Sequence, residues 1–185
     1  MPMESARRFL LSVAALAIGL VAAACEESTG PLGNFLIRQP TDDPRPPSPY
    51  NTVRTVTAGD TATILFEWQE AKGATRYEIA FWSVASADSM NNLRADTNAR
   101  PTFSIRVDQP ERVSAPYSLS LENDRRRVWV IQRWVQRGEL AAAMDAAGFP
   151  PDGTNRYFVW SIFAEKGSSR KRSAEVHRMI LQYTE

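Results

Sequence analysis

Apolar and polar residues alternate with a period of two in several separate stretches of the chain. Ile64, Phe66 and Trp68 fall on one face of a run beginning at Thr61, and Tyr77, Ile79 and Phe81 form a second set after a turn at Lys72-Gly73. Phe103, Ile105 and Val107 alternate within residues 102–107; Phe158, Trp160, Ile162 and Ala164 do so within residues 157–164. Residues 176–183 are a β-rich terminal run, and Phe35-Leu36-Ile37 is the first strand candidate. Turn signals at Gly59-Asp60, Asp152-Gly153 and Lys166-Gly167 separate these stretches, so the pattern predicts short strands at sandwich spacing.

One stretch departs from this period. Leu140, Ala143, Met144 and Ala147 recur at i, i+3, i+4 and i+7, with Glu139 in the first turn and Gly148 at the end, and Pro150-Pro151 stops continuation. A short amphipathic helix is predicted there. The alternation of Val128/Val130 and Trp129/Ile131 favours a strand for residues 127–133, with the first turns of the helix as the alternative. Five of the twelve prolines lie between positions 40 and 49, which predicts a loop or stiff spacer over residues 40–50, without helix or ladder pairing.

The N-terminus has its own pattern. Arg7 and Arg8 precede 16 uncharged residues, Phe9 to Ala24, which end in Ala22-Ala23-Ala24. That run is shorter than the ~20 apolar residues of a spanning helix and has the small-residue exit of a cleavable signal peptide. The segment Val21-Ala22-Ala23-Ala24-Cys25 resembles the lipobox of bacterial lipoproteins, with alanine where leucine is usual three residues before the cysteine. Cys25 is the chain's only cysteine. The resemblance implies an acylated Cys25 as the mature N-terminus, held to a membrane by its acyl chains at about 0.8 kcal/mol per buried methylene. Glu26 and Glu27 resemble the acidic export signal of Bacteroidetes-type surface lipoproteins. The expected organisation is therefore a signal peptide at 1–24, a tether at 25–33 and a single sandwich domain at 34–185.

Composition narrows the chemistry. Removing the leader leaves twenty basic and twenty acidic residues, a balance that argues against a nucleic-acid partner. One cysteine and one histidine, His177, exclude an internal disulfide and a Cys/His zinc site. No metal or cofactor is expected, and no G-x-S-x-G elbow supports a Ser/His/Asp hydrolase. Glu67, Glu70, Glu78 and Asp108 are the acids a glycosidase would draw on, but their turn and outward strand positions read as solvated carboxylates. The basic runs Arg125-Arg126-Arg127 and Arg170-Lys171-Arg172 read as solvated charge beside turns, with lipid phosphate or an acidic glycan as the other reading. Residues 86–100 form a long polar connection, a candidate binding loop whose Asp88, Asn91, Asp96 and Asn98 lack EF-hand spacing. Trp68 and Trp160 fall at core positions. Trp82, Trp129 and Trp134 are the candidate ligand or partner residues, because Trp82 and Trp129 are out of phase with their apolar neighbours and a tryptophan outside the core can stack on a sugar or anchor a protein; packing beneath the helix is the other reading.

Residues 66–79, FEWQEAKGATRYEI, resemble the B-to-C hairpin of fibronectin type III and related immunoglobulin-like domains. Gly138-Glu139-Leu140 through Ala147-Gly148, followed by a turn and Tyr157 to Ala164, is similar to the helix and Tyr-Trp strand of the N-terminal domain of SusE-type starch-utilisation lipoproteins of the outer membrane; residues 35–40 suit that domain's opening strand. The resemblance implies an all-β, immunoglobulin/fibronectin type III-like antiparallel β-sandwich with one short α-helix inserted before the penultimate strand. It also implies a non-enzymatic accessory module in polysaccharide capture, partnered by proteins at the outer membrane. The domains that carry the family's sugar-binding aromatics are not expected within residues 34–185. Direct glycan binding is the alternative within this class, and a secreted or periplasmic hydrolase is the alternative outside it.

Overall fold

The computed structural model describes Leu32 and residues 37–41, 52–114 and 129–185, with the backbone alone for 37–41, 114 and 129. Cys25, the signal peptide, the rest of the tether, residues 42–51 and Arg125 to Arg127 lie outside the described residues. The described part is mostly β, arranged as two sheets packed as a sandwich. The first sheet has the order β1-β3-β7-β6, from β1 (Ile37–Thr41), β3 (Thr63–Gln69), β6 (Glu111–Ser114) and β7 (Trp129–Gln136). The second has the order β2-β10-β8-β4-β5, from β2 (Val53–Thr57), β4 (Arg76–Val84), β5 (Phe103–Val107), β8 (Asn155–Lys166) and β10 (His177–Thr184), while β9 (Ser169–Arg172) also pairs with β8.

The alternating residues form the core. Ile64, Phe66 and Trp68 on β3 face Tyr77, Ile79 and Phe81 on β4 and Phe158, Trp160 and Ile162 on β8, all buried. The rings pack edge to face across the sandwich: Phe66 lies 5.2 Å from Trp160 and 6.2 Å from Phe81, both at 89°. This arrangement sets ring edges against ring faces, and such pairs add about 0.5–1.5 kcal/mol beyond the area they bury. β7 runs over Trp129–Gln136, in keeping with the alternation read for residues 127–133, and passes directly into α2 (Arg137–Ala146).

α2 packs on β2, β5 and β7 and buries Leu140, Ala141 and Met144. Its C-terminus is a Schellman motif: Phe149 N–H donates to the Met144 carbonyl at 3.0 Å, and Gly148 N–H donates to that of Asp145 at 2.9 Å. Gly148 has φ +84°, the left-handed conformation that an L side chain resists. No side chain caps the N-terminus at Gln136. Backbone carbonyls of the β2–β3 connection do so instead, Ala62 accepting from Arg137 N–H at 2.7 Å and Asp60 from Gly138 N–H at 2.9 Å.

Several expectations are corrected. The sandwich is not antiparallel throughout, because β2 pairs parallel with β10, from Val53 against Ile180 to Thr57 against Thr184. The N-terminal strands thus divide between sheets, β1 joining β3 and β2 joining β10. The helix does not precede the penultimate strand, since the hairpin strand β9 intervenes between β8 and β10. Pro40 lies within β1, a position the proline count had excluded; β1 is an edge strand, and its register shifts between Arg38 and Thr41, so no ladder bond is asked of the proline nitrogen. Leu32, read as tether, is buried in the core. A second helix, α1 (Ala87–Asn91), sits in the polar connection, capped by the Ser86 hydroxyl accepting from Ser89 N–H at 3.1 Å.

Candidate binding surface

The outer face of the second sheet is covered at one end. α1 packs on β4 and β8, burying Met90 over the outward positions of those strands, where Ala80, Val159 and Ser161 are also buried. Trp82 projects from β4 into this layer. It is 4% exposed, packs against Phe163 at 6.1 Å and donates its indole N–H to the Ala99 carbonyl at 3.0 Å. The loop is further tied by Thr102, whose N–H donates to the Phe81 carbonyl at 2.7 Å and whose hydroxyl accepts from Ser83 N–H at 2.9 Å. The polar connection is therefore a fixed cover, seated by one tryptophan.

Beyond the cover the same face is charged. Register places Glu78 beside Phe163 and Arg76 beside Glu165, and β9 then sets Arg172 beside Phe163 and Arg170 beside Glu165. The Arg170 guanidinium stacks 3.7 Å over the Phe163 ring, pairs with Glu78, and lies 3.5 Å from Glu165. Arg172 donates to the Thr97 hydroxyl, and Lys171 to the Leu32 carbonyl at 3.0 Å. The run 170–172, read as solvated charge, instead joins a sheet and ties down two separate segments. Between this strand and the cover lies a hollow of about 330 Å³ lined by Thr97, Asn98, Arg100, Phe163, Arg170 and Arg172. A larger cleft of about 630 Å³ adjoins it through Arg100 and Arg170 and extends past Ser104 to Ala143 and Ala147 of α2.

The sequence candidates do not converge on this surface. Trp82 supports it from beneath and has no ring face free for a ligand, because the loop that its indole holds covers it. Trp134 lies on the outer face of the first sheet opposite Leu65 and is 36% exposed. Trp129 opens β7 opposite Ser114, and its side chain lies outside the described residues. The four acids are dispersed. Glu67, expected in solvent, is 3% exposed and accepts from the Gln132 amide at 2.7 Å; Glu70 pairs with Arg112 at 2.9 Å; Glu78 pairs with Arg170; Asp108 is exposed. His177 stacks on Trp160 at 5.2 Å, with its Nε2 3.9 Å from the Glu175 carboxylate. Asp96 accepts from Asn98 N–H at 3.0 Å, and Asp88 accepts from the Asn92 amide, so the loop's acids shape its turns. Among the described residues no three His, Cys, Asp or Glu side chains are grouped to hold a metal ion.

Arg100 and Phe163 are the residues of this surface that sequence reasoning passed over. The alternation of β8 carried a signal for Phe163, an aromatic out of phase with Phe158, Trp160 and Ile162. Nothing local marked Arg100, which only the loop's path brings to β9. The fold is a β-rich two-sheet sandwich bearing a charged outer surface. No protein-family model matches the sequence, and no curated protein does so.

Proposed function

We propose that the protein is a non-enzymatic lipoprotein anchored in the outer membrane through Cys25, built on an immunoglobulin-like domain, and serving as a SusE-like accessory module of a polysaccharide-capture or other surface complex. The strand order is the observation that carries this reading. β1-β3-β7-β6 follows the A-B-E-D order of immunoglobulin domains, and β5-β4-β8-β10 follows C′-C-F-G. Phe66 and Trp160 then meet between strands B and F, where antibody domains place their disulfide. The helix falls between E and F, where the resembling segment of SusE-type lipoproteins also has one. Such a domain presents loops and sheet faces to neighbours, and acyl chains at its N-terminus would hold it beside them.

The experiment is Cys25→Ser in the full chain, read by detergent partition and by the mass of the mature N-terminus. Acylated wild-type protein in the detergent phase and soluble variant are expected; an unmodified wild-type cysteine overturns the anchor. Direct glycan capture is a second reading, favoured by Trp134, whose ring is partly exposed on the other sheet. Under the accessory reading, neutral α- and β-glucans bind no more tightly than millimolar, and micromolar binding lost in Trp134→Ala would favour capture.

A further inference from the structure

We propose that the hollow between β9 and the 97–100 loop binds an acidic polysaccharide, a chain of sugars bearing carboxylate or sulfate groups. The hollow is lined by three arginines and no carboxylate. Arg170 is already neutralised by Glu78 and Glu165, whereas Arg172 is engaged by a neutral hydroxyl and Arg100 has no ion-pair partner among the described residues. Two guanidinium groups thus remain to meet an anion, and their planar donor forks suit the two oxygens of a carboxylate or sulfate.

The site is built in advance. Trp82 holds the Ala99 carbonyl, Thr102 is bonded to β4 from both its backbone and its side chain, and Arg170 is fixed on Phe163, so the rim bearing Arg100 sits on bonded elements. Binding then costs little ordering of the protein. Thr97 and Asn98 add neutral polar side chains beside the arginines, as a sugar's hydroxyl groups require. The volume of about 330 Å³ is at the small end of ligand sites, room for a sugar unit or two. The adjoining cleft continues past Arg100 and Arg170 but is also lined by Glu78 and Glu165, so the anionic group is held in the smaller hollow, with room beyond it for the rest of a sugar chain. Choosing a sugar chain over an acidic peptide rests on the accessory-module reading above, which the acylation of Cys25 tests separately.

The test is calorimetric titration of the full-length protein with oligogalacturonate, a sulfated oligosaccharide, the methyl-esterified and therefore neutral galacturonate chain, and polyglutamate. Binding of an acidic oligosaccharide is expected, weakening as salt rises, with the neutral chain not bound. Arg100→Ala and Arg172→Ala should each lower affinity about tenfold, the loss of one charge-assisted contact, with the thermal melt unchanged for Arg100→Ala and lowered for Arg172→Ala by the lost bond to Thr97. No binding of either acidic sugar at millimolar concentration, equal binding of the esterified chain, or affinity unaffected by both substitutions overturns the proposal. Polyglutamate bound in preference to both sugars overturns it in favour of an acidic protein partner.

Discussion

Gly138, in the first turn of α2, donates its N–H to the Asp60 carbonyl at 2.9 Å, and a Cβ at that glycine would meet the backbone N and O of Asp60 and the N of Gly59, each at 3.0 Å. The turn between β2 and β3 thus caps the helix by touching it where a side chain would stand. Helix propensity alone favours alanine over glycine by about 1 kcal/mol. Here the contact atoms are backbone and give way poorly, so the crowding should prevail.

Gly138→Ala is therefore expected to destabilise the fold by about 1–3 kcal/mol, the usual cost of overpacking. A lowered urea midpoint at unchanged slope would show it, and a raised midpoint would mean that the cap yields.

Trp68 and Trp160 are fully buried from strands of different sheets. Truncating either to alanine should cost about 3–5 kcal/mol. Out of a total stability of about 5–15 kcal/mol, that leaves little folded protein at physiological temperature, as denaturant titration would report.

The two other tryptophans described should separate in the same assay. Trp82→Ala removes a buried ring and the anchor of the 97–100 loop, with an expected loss of about 3–5 kcal/mol. Trp134→Ala, on the outer face of the first sheet, should cost about 1 kcal/mol.

Burial pushes the Tyr77 phenol up to about 12 from the ordinary 10.0. Its oxygen also accepts from Ala71 N–H at 3.0 Å. A phenol that ionises later in the folded state than in the unfolded one stabilises the fold fully below pH 10 and loses that contribution as pH rises from about 10 to 12. Wild-type stability should fall across this window more steeply than that of Tyr77→Phe, by roughly 2 kcal/mol at its upper end. Urea midpoints at stepped pH measure the difference, and parallel curves would show that Tyr77 ionises normally.

The sequence by itself determined the strands that face the core and the one long helix among the described residues. Alternation at Ile64, Phe66 and Trp68 or at Phe103, Ile105 and Val107 records which side of a strand is apolar, and Gly148 records where the helix must end, because both are consequences of backbone geometry within a few residues. Alternation does not record whether the opposite face is open. Glu67, Ala80 and Trp82 are on such faces, and all three are buried, Ala80 and Trp82 beneath α1 and the 97–100 loop, which the strand's own pattern does not mention. Tertiary structure alone decided the parallel pairing of β2 with β10, Pro40's place in an edge strand, and the meeting of Arg100 with Arg170 and Arg172. Each depends on which segments distant in sequence lie side by side, and the energy of a pairing or an ion pair exists only once that juxtaposition has formed.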